Sequence, residues 1–243
     1  RQDRKLARAF SLLLQVGGTL AFLSQGLVDA EALPIANSQC IGLLVLALSA
    51  LLSGYWLRRE GAVIPRWERG WSQLAILIGT VFISAAGLGE ISRVFGKVEV
   101  GATLAWLAAL ALIWQALSRR LAWPLFDHLA VALMSFAVLR SLALDPQHPA
   151  VLAGWIGWPL WLAAQARQLS QREPVSPLLF VHHSLTGLLL LALLIWEATW
   201  QVQDRLPLGF WQYLPSAMLL MVTLTLLARS ALVPASISSI PWS

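Results

Sequence analysis

Charge is scarce in this sequence. Of 243 residues only 12% are Asp, Glu, Lys or Arg, while 58% are hydrophobic. A soluble domain carries roughly 25% charged residues, so this balance excludes an ordinary globular domain and points to a multispanning membrane protein. Cysteine is scarcer still. The single Cys40 rules out an internal disulfide and any cysteine-based metal cluster, and it reads as a small apolar filler. No Gly-, Ser- or Pro-rich run marks a linker. No secretory leader is legible at the start, which is Arg1, and the chain is expected to be a piece of a longer one. The motifs GxSxG, Walker A and HExxH are all missing. GLGEIS, residues 87–92, imitates part of a dinucleotide fingerprint but follows no strand and closes an apolar run. No cofactor is implied.

What the sequence does contain is a series of apolar runs. A membrane-crossing helix needs about 20 mainly apolar residues, and eight segments qualify: 9–28, 40–57, 71–91, 98–118, 124–144, 150–167, 178–200 and 211–230. The expected fold is all-α, a single polytopic bundle over residues 1–243. The net charge of +5 does not indicate nucleic acid, because the basic residues are scattered between apolar runs rather than gathered on a face. Their order follows the alternation expected of cytoplasmic loops. Thirteen of the 17 Lys and Arg lie at the N-terminus, in the second, fourth and sixth loops, and in the tail. The other four are Arg93, Lys97, Arg140 and Arg205. This places both ends in the cytoplasm. Trp56, Trp67, Trp71 and Trp123 fall at the inner ends of spans and Trp155, Trp196, Trp200 and Trp211 at outer ends, as amphipathic rings favour. Small residues four apart, Ala50 with Gly54 and Ala85 with Gly89, offer close helix contacts. A faint repeat relates Phe10–Asp29 to Phe126–Asp145, and Glu90 to Glu197, giving candidate four-helix halves at 1–122 and 123–243.

The polar residues divide by depth. His182 and His183 start the seventh span near the inner interface, too far from Glu197 to share a proton with it and pointing about 100° apart on a helix. They read as interfacial anchors, with proton relay or headgroup contact as the alternatives, and Asp127 with His128 reads the same way. The outer side is richer. Glu90 and Arg93 share a helix face at i, i+3. Arg140 lies just inside the fifth span and Glu197 ends the seventh, with Asp145, His148, Asp204 and Arg205 in neighbouring loops. An ionisable group within a span faces the bundle or a wet cavity, because lipid exposure is costly. Arg140 should therefore meet a carboxylate, with Glu197 or Glu90 nearest in depth. The cluster reads either as ion pairs fixing helix register or as a ligand site. Asp29 and Glu31 in the first outer loop present two carboxylates suited to a divalent metal against a lipid-linked phosphate, but two acids on an outer loop are ordinary and no metal is assigned.

The stretches HPAVLAGWIGWPLWLAAQAR (148–167) and HHSLTGLLLLALLIWEATWQVQ (182–203) resemble the C-terminal parts of the large multispanning bacterial membrane proteins grouped as domain of unknown function 2339. The resemblance covers about 60 residues. It implies an inner-membrane location in Gram-negative-type bacteria and a longer parent chain, and it brings no activity. By position it draws attention to His148, Trp155, Trp158, Pro159, His183 and Glu197. Together with the charge pattern, the candidate ligand-binding residues are Glu90, Arg93, Arg140, His148, Trp155, Trp158 and Glu197. Their expected partners are membrane lipids, a lipid-linked or glycan ligand, and further segments of the parent chain. Three functions compete: a transport or envelope lipid- and glycan-handling module, the reading preferred; a membrane enzyme acting on a lipid-linked donor, against which the short outer loops count; and a structural scaffold.

Overall fold

The computed structural model describes the backbone over residues 37–59, 66–144, 148–170 and 177–205, with short stretches at 10, 13, 16–22, 24, 209, 213, 217–218 and 220–223. Side chains are described over the same residues except 66–69, 177–184 and 204–205. Among the described residues the regular elements are all helical and no strand occurs. They are α1 (Ser38–Arg59), α2 (Arg66–Val94), a 3-10 turn (Gly96–Val98), α3 (Glu99–Leu121), α4 (Pro124–Leu142), α5 (Gly154–Ser170) and α6 (Pro177–Arg205). Among the described residues five segments are long and apolar enough to cross a membrane: Ser38–Arg59, Gly70–Val94, Gly96–Leu121, Pro124–Leu142 and Leu185–Gln203. They correspond to the expected spans 40–57, 71–91, 98–118, 124–144 and 178–200. Half of the span expected at 9–28 and most of that expected at 211–230 lie outside the described residues, as do Asp29 and Glu31.

The expected span 150–167 is helical only from Gly154, leaving α5 with 17 residues. The cause is local. Leu152 and Ala153 take left-handed backbone angles, φ 51° and 61°, so the chain turns where its apolar composition alone reads as helix. Gly101 at the start of α3 donates its N–H to Leu152 O at 3.0 Å, giving an otherwise open helix-terminal amide an acceptor. A Cβ on Gly101 would run into the Ala153 carbonyl, so only glycine permits this approach.

The chain divides into two compact units, residues 1–146 with 152–168, and residues 147–151 with 169–243. In the first unit α3 is the central helix: Val100, Leu104, Leu107 and Ala111 are wholly buried. It stops at Ala122, whose left-handed conformation (φ 47°) directs a cap N–H to Ser118 O, and Pro124 at the first turn of α4 prevents continuation. Gly157 of α5 packs on Gly101, where an added Cβ would sit 2.7 Å from the Gly101 Cα. Trp161 donates its indole N–H to Met134 O at 3.1 Å, tying α5 to α4.

Residues inside this unit are small or polar more often than those outside. Ala47, Ala50, Ala130, Ala137, Thr103, Ser141 and Gln168 are buried, whereas Val45, Leu48, Leu52, Val81, Ile113 and Leu139 are more than half exposed. In water that arrangement would be unstable; in lipid, where burying leucine has little to gain, close backbone contact decides the interior. The seam between α1 and α2 has this character. Gly54 lies against Ser72 O and Ile76, and Gly79 against Ala47 O and Leu51. The Ala50 and Gly54 pair thus makes the contact its spacing predicts. Ala85 with Gly89 does not: Ala85 is exposed and a Cβ on Gly89 would meet nothing within 4 Å, because that face of α2 turns away from α1. Cys40 is buried with Leu43 and Ala86, with the partly buried Phe22 packed against them, the apolar filler that its sequence context indicates.

Candidate functional site

At one end of the first unit the start of α1, the end of α2, the start of α3 and the end of α4 converge. Asn37 caps α1, its Oδ1 accepting the Cys40 N–H at 2.7 Å, as an asparagine ahead of an apolar helix is suited to do. Its side-chain N–H donates to Glu90. Glu90 in turn holds Arg93 at 2.8 Å, the i, i+3 pair expected from spacing. Beside them Glu99 accepts a 2.6 Å hydrogen bond from the Ser92 hydroxyl and pairs with Arg140 at 3.3 Å. Arg140 also reaches Ser92 Oγ at 3.5 Å. Two carboxylates and two guanidiniums thus sit together with no net charge. Glu90 is 14% exposed and Glu99 17%, against 25% for Arg93 and 31% for Arg140, so the cations are the more open half of each pair.

The second unit holds a different arrangement. Glu197 on α6 accepts three hydrogen bonds: from His148 Nδ1 at 2.9 Å, from the Ala150 N–H at 3.2 Å, and from Gln201 Nε2 at 2.8 Å. The His148 ring stacks on Trp200 with centroids 3.7 Å apart. The loop 148–150 is therefore pinned to α6 by a carboxylate and an indole. With Nδ1 donating to Glu197, the second ring nitrogen carries a lone pair in the neutral form of the ring.

Within the first unit Arg140 pairs not with Glu90, as expected, but with Glu99, and the expected partner Glu197 belongs to the other unit. Arg140 takes Glu99 and Glu197 takes His148. The candidate residues accordingly separate: Glu90, Arg93 and Arg140 belong to the end of the first unit, His148 and Glu197 to the second. Trp155 is 67% exposed and Trp158 is buried at 5%, so the two tryptophans of one helix differ in role, the first facing outward and the second packed with Trp161. Asn37, Ser92, Glu99, Gln201 and Trp200 were not among the candidate residues. Asn37 carried a signal, its place before an apolar run; the others are ordinary helix residues until the fold sets them beside a charge. The side chains of His182 and His183 lie outside the described residues. Among the described residues no group of three or more His, Cys, Asp or Glu is placed to hold a metal. No family model, no curated protein and no solved structure matches the chain.

Proposed function

We propose that this chain is a multispanning module of a bacterial inner membrane, similar to the family of domain of unknown function 2339, that handles a lipid or glycan component of the envelope. The observation that carries the reading is the neutral four-charge cluster at the end of the first unit, where Arg140 is 31% exposed among apolar spans. Two ion pairs needed only for helix register have little reason to keep their guanidiniums open, since leaving charge near lipid is costly. Arginine in such a position suits phosphate, which it can bind through two N–H groups. The alternation of thirteen basic residues against four supports eight crossings with both ends cytoplasmic and the cluster on the outer side.

Reconstitution tests this directly. Vesicles holding the full-length protein and a fluorescent phospholipid or lipid-linked sugar should move the probe between leaflets faster than empty vesicles, and Arg140→Gln should slow that movement. Rates equal to those of empty vesicles for every probe would remove the handling function. Reporter fusions after Arg93 and Pro146 should read as periplasmic and those after Arg59, Arg120 and Arg172 as cytoplasmic; a reversal would remove a crossing.

A second reading, a membrane enzyme acting on a lipid-linked donor, draws on His148. In its neutral form a histidine whose Nδ1 is held by Glu197 has the tautomer of a general base. Turnover of a lipid-linked donor that is lost in both His148→Asn and Glu197→Gln would favour it, and unchanged donor would end it.

A further inference from the structure

Between α2 and α4 lies a groove of about 390 Å³, within the size range of ligand clefts. Leu77, Val81, Ala85 and Leu88 form one wall; Leu129, Ala132 and Phe136 form the other. The groove has a direction. Along α2 the wall runs from Leu77 to Leu88, roughly 16 Å of helix, and the next position on the same face, four residues on, is Ser92. Along α4 it runs from Leu129 to Phe136, and the next position on that face, again four residues on, is Arg140. Residues four apart on a helix stand one above the other. The two apolar stripes therefore lead to Ser92 and Arg140, which meet at 3.5 Å one helical turn beyond the lining residues Leu88 and Phe136, with Glu99 on the same guanidinium. A hydrocarbon channel closed at one end by a guanidinium and a carboxylate has the form of an amphiphile site.

The charges at the mouth select the headgroup. Arg140 alone would draw any anionic lipid, but its neighbour Glu99 repels net negative charge and attracts an ammonium. A headgroup that carries phosphate and ammonium side by side meets both: the phosphate on Arg140, which is the more exposed partner, and the ammonium on Glu99. Within the groove the recess is made by two small residues, Ala85 and Ala132, both exposed and flanked by larger ones. A chain can lie over them without displacing any core side chain.

We infer that the groove between α2 and α4 binds one zwitterionic phospholipid of the phosphatidylethanolamine type, its acyl chain over Ala85 and Ala132 and its headgroup between Arg140 and Glu99. This rests on the reading of the bundle as a lipid-handling module for its purpose, and deepens it by naming the lipid class and the path of the chain.

The test is lipid retention by the full-length protein, extracted in mild detergent from vesicles of equal phosphatidylethanolamine and phosphatidylglycerol and weighed by native mass spectrometry. Wild type should retain one phosphatidylethanolamine, severalfold in preference to phosphatidylglycerol. Arg140→Gln should weaken retention roughly tenfold or more, the loss expected for a hydrogen-bonded charged group. Ala132→Trp fills the groove from an exposed position, so it should fold normally, with an unchanged melting temperature, and lose the lipid. Equal retention of the two lipids would overturn the headgroup assignment. Wild-type retention in Ala132→Trp would overturn the groove. A photo-crosslinker at position 132 should capture phosphatidylethanolamine above its bulk share, whereas the same probe at Ile113, also exposed, should capture bulk lipid; a peptide adduct at 132 would mean that protein fills the groove and would overturn the proposal. Retention without transbilayer movement would leave the site standing and remove only the handling function; movement without retention would do the reverse.

Discussion

Truncating Glu197 should detach the loop at His148–Ala150 from α6. The carboxylate accepts two hydrogen bonds from that loop and one from Gln201 on its own helix. A hydrogen bond to a charged group contributes about 1.5–3 kcal/mol when sheltered, but Glu197 is 28% exposed and water replaces part of what is lost. Taking each loop bond at about half the sheltered value, and the i, i+4 contact with Gln201 at about 0.2–0.5 kcal/mol, Glu197→Ala should cost about 2 kcal/mol, and Glu197→Gln about half that, since the amide oxygen still accepts one bond. Reversible unfolding in mixed micelles, followed by tryptophan fluorescence, measures this. His148→Ala should also change the emission of Trp200, which stacks on its ring. Combined with Glu197→Ala it should cost less than the sum by about 1 kcal/mol. If the two losses add, or neither exceeds about 0.5 kcal/mol, the carboxylate does not hold the loop.

Glu99→Gln and Arg140→Gln should couple by about 0.5–1 kcal/mol in the same assay, the range of a partly exposed ion pair; full additivity would deny the pair. Gly54→Val should lose about 1–3 kcal/mol by forcing α1 from Ser72 O and Ile76, as overpacking does, whereas Gly89→Ala, with open space at its Cβ, should gain up to about 1 kcal/mol of helix propensity; thermal unfolding in detergent separates the two. Ala153→Gly should stabilise by up to about 1 kcal/mol by relieving the left-handed angle there, and a loss of stability would mean the turn needs its Cβ.

How much of this was legible in the sequence depended on distance along the chain. Glu90 and Arg93 are three apart, and helical geometry alone sets them on one face. The depth of Arg140 was legible too, since hydropathy marks where a span ends. Its partner was not. Glu99 opens α3 and Glu197 lies eight residues inside the end of α6, and choosing between them requires knowing which helices neighbour each other and how each is rotated about its axis. The repeat of hydrophobic residues reports that rotation poorly here, because the helices are apolar on nearly every face and lipid tolerates whichever is turned outward. The late start of α5 was hidden for a related reason. Val151, Leu152 and Ala153 are as apolar as a helix requires, and the turn they make depends on Gly101, a residue 51 positions from Leu152.

Small residues carry two opposite meanings in this bundle. At Gly54 and Gly79 they draw α1 and α2 together until each glycine lies against a facing carbonyl and side chain. At Ala85 and Ala132 they face outward and leave a recess, because the larger Leu77, Leu88, Leu129 and Phe136 flank them on both helices. The same helix α2 has both: one face closes on α1 through Gly79, and another opens toward α4 through Ala85. A tight seam stabilises the helix pair whatever surrounds it, since its van der Waals contacts are all within the protein. A recess gains those contacts only when something else fills it. An open groove leading to a paired guanidinium and carboxylate is therefore a place where a change in the surrounding lipid can alter the protein's own stability, and ligand-linked stabilisation by the retained phospholipid is the property through which Ala132→Trp and Arg140→Gln should differ. The first replaces the missing contacts with a side chain and makes stability independent of lipid; the second leaves the recess empty and makes it lower.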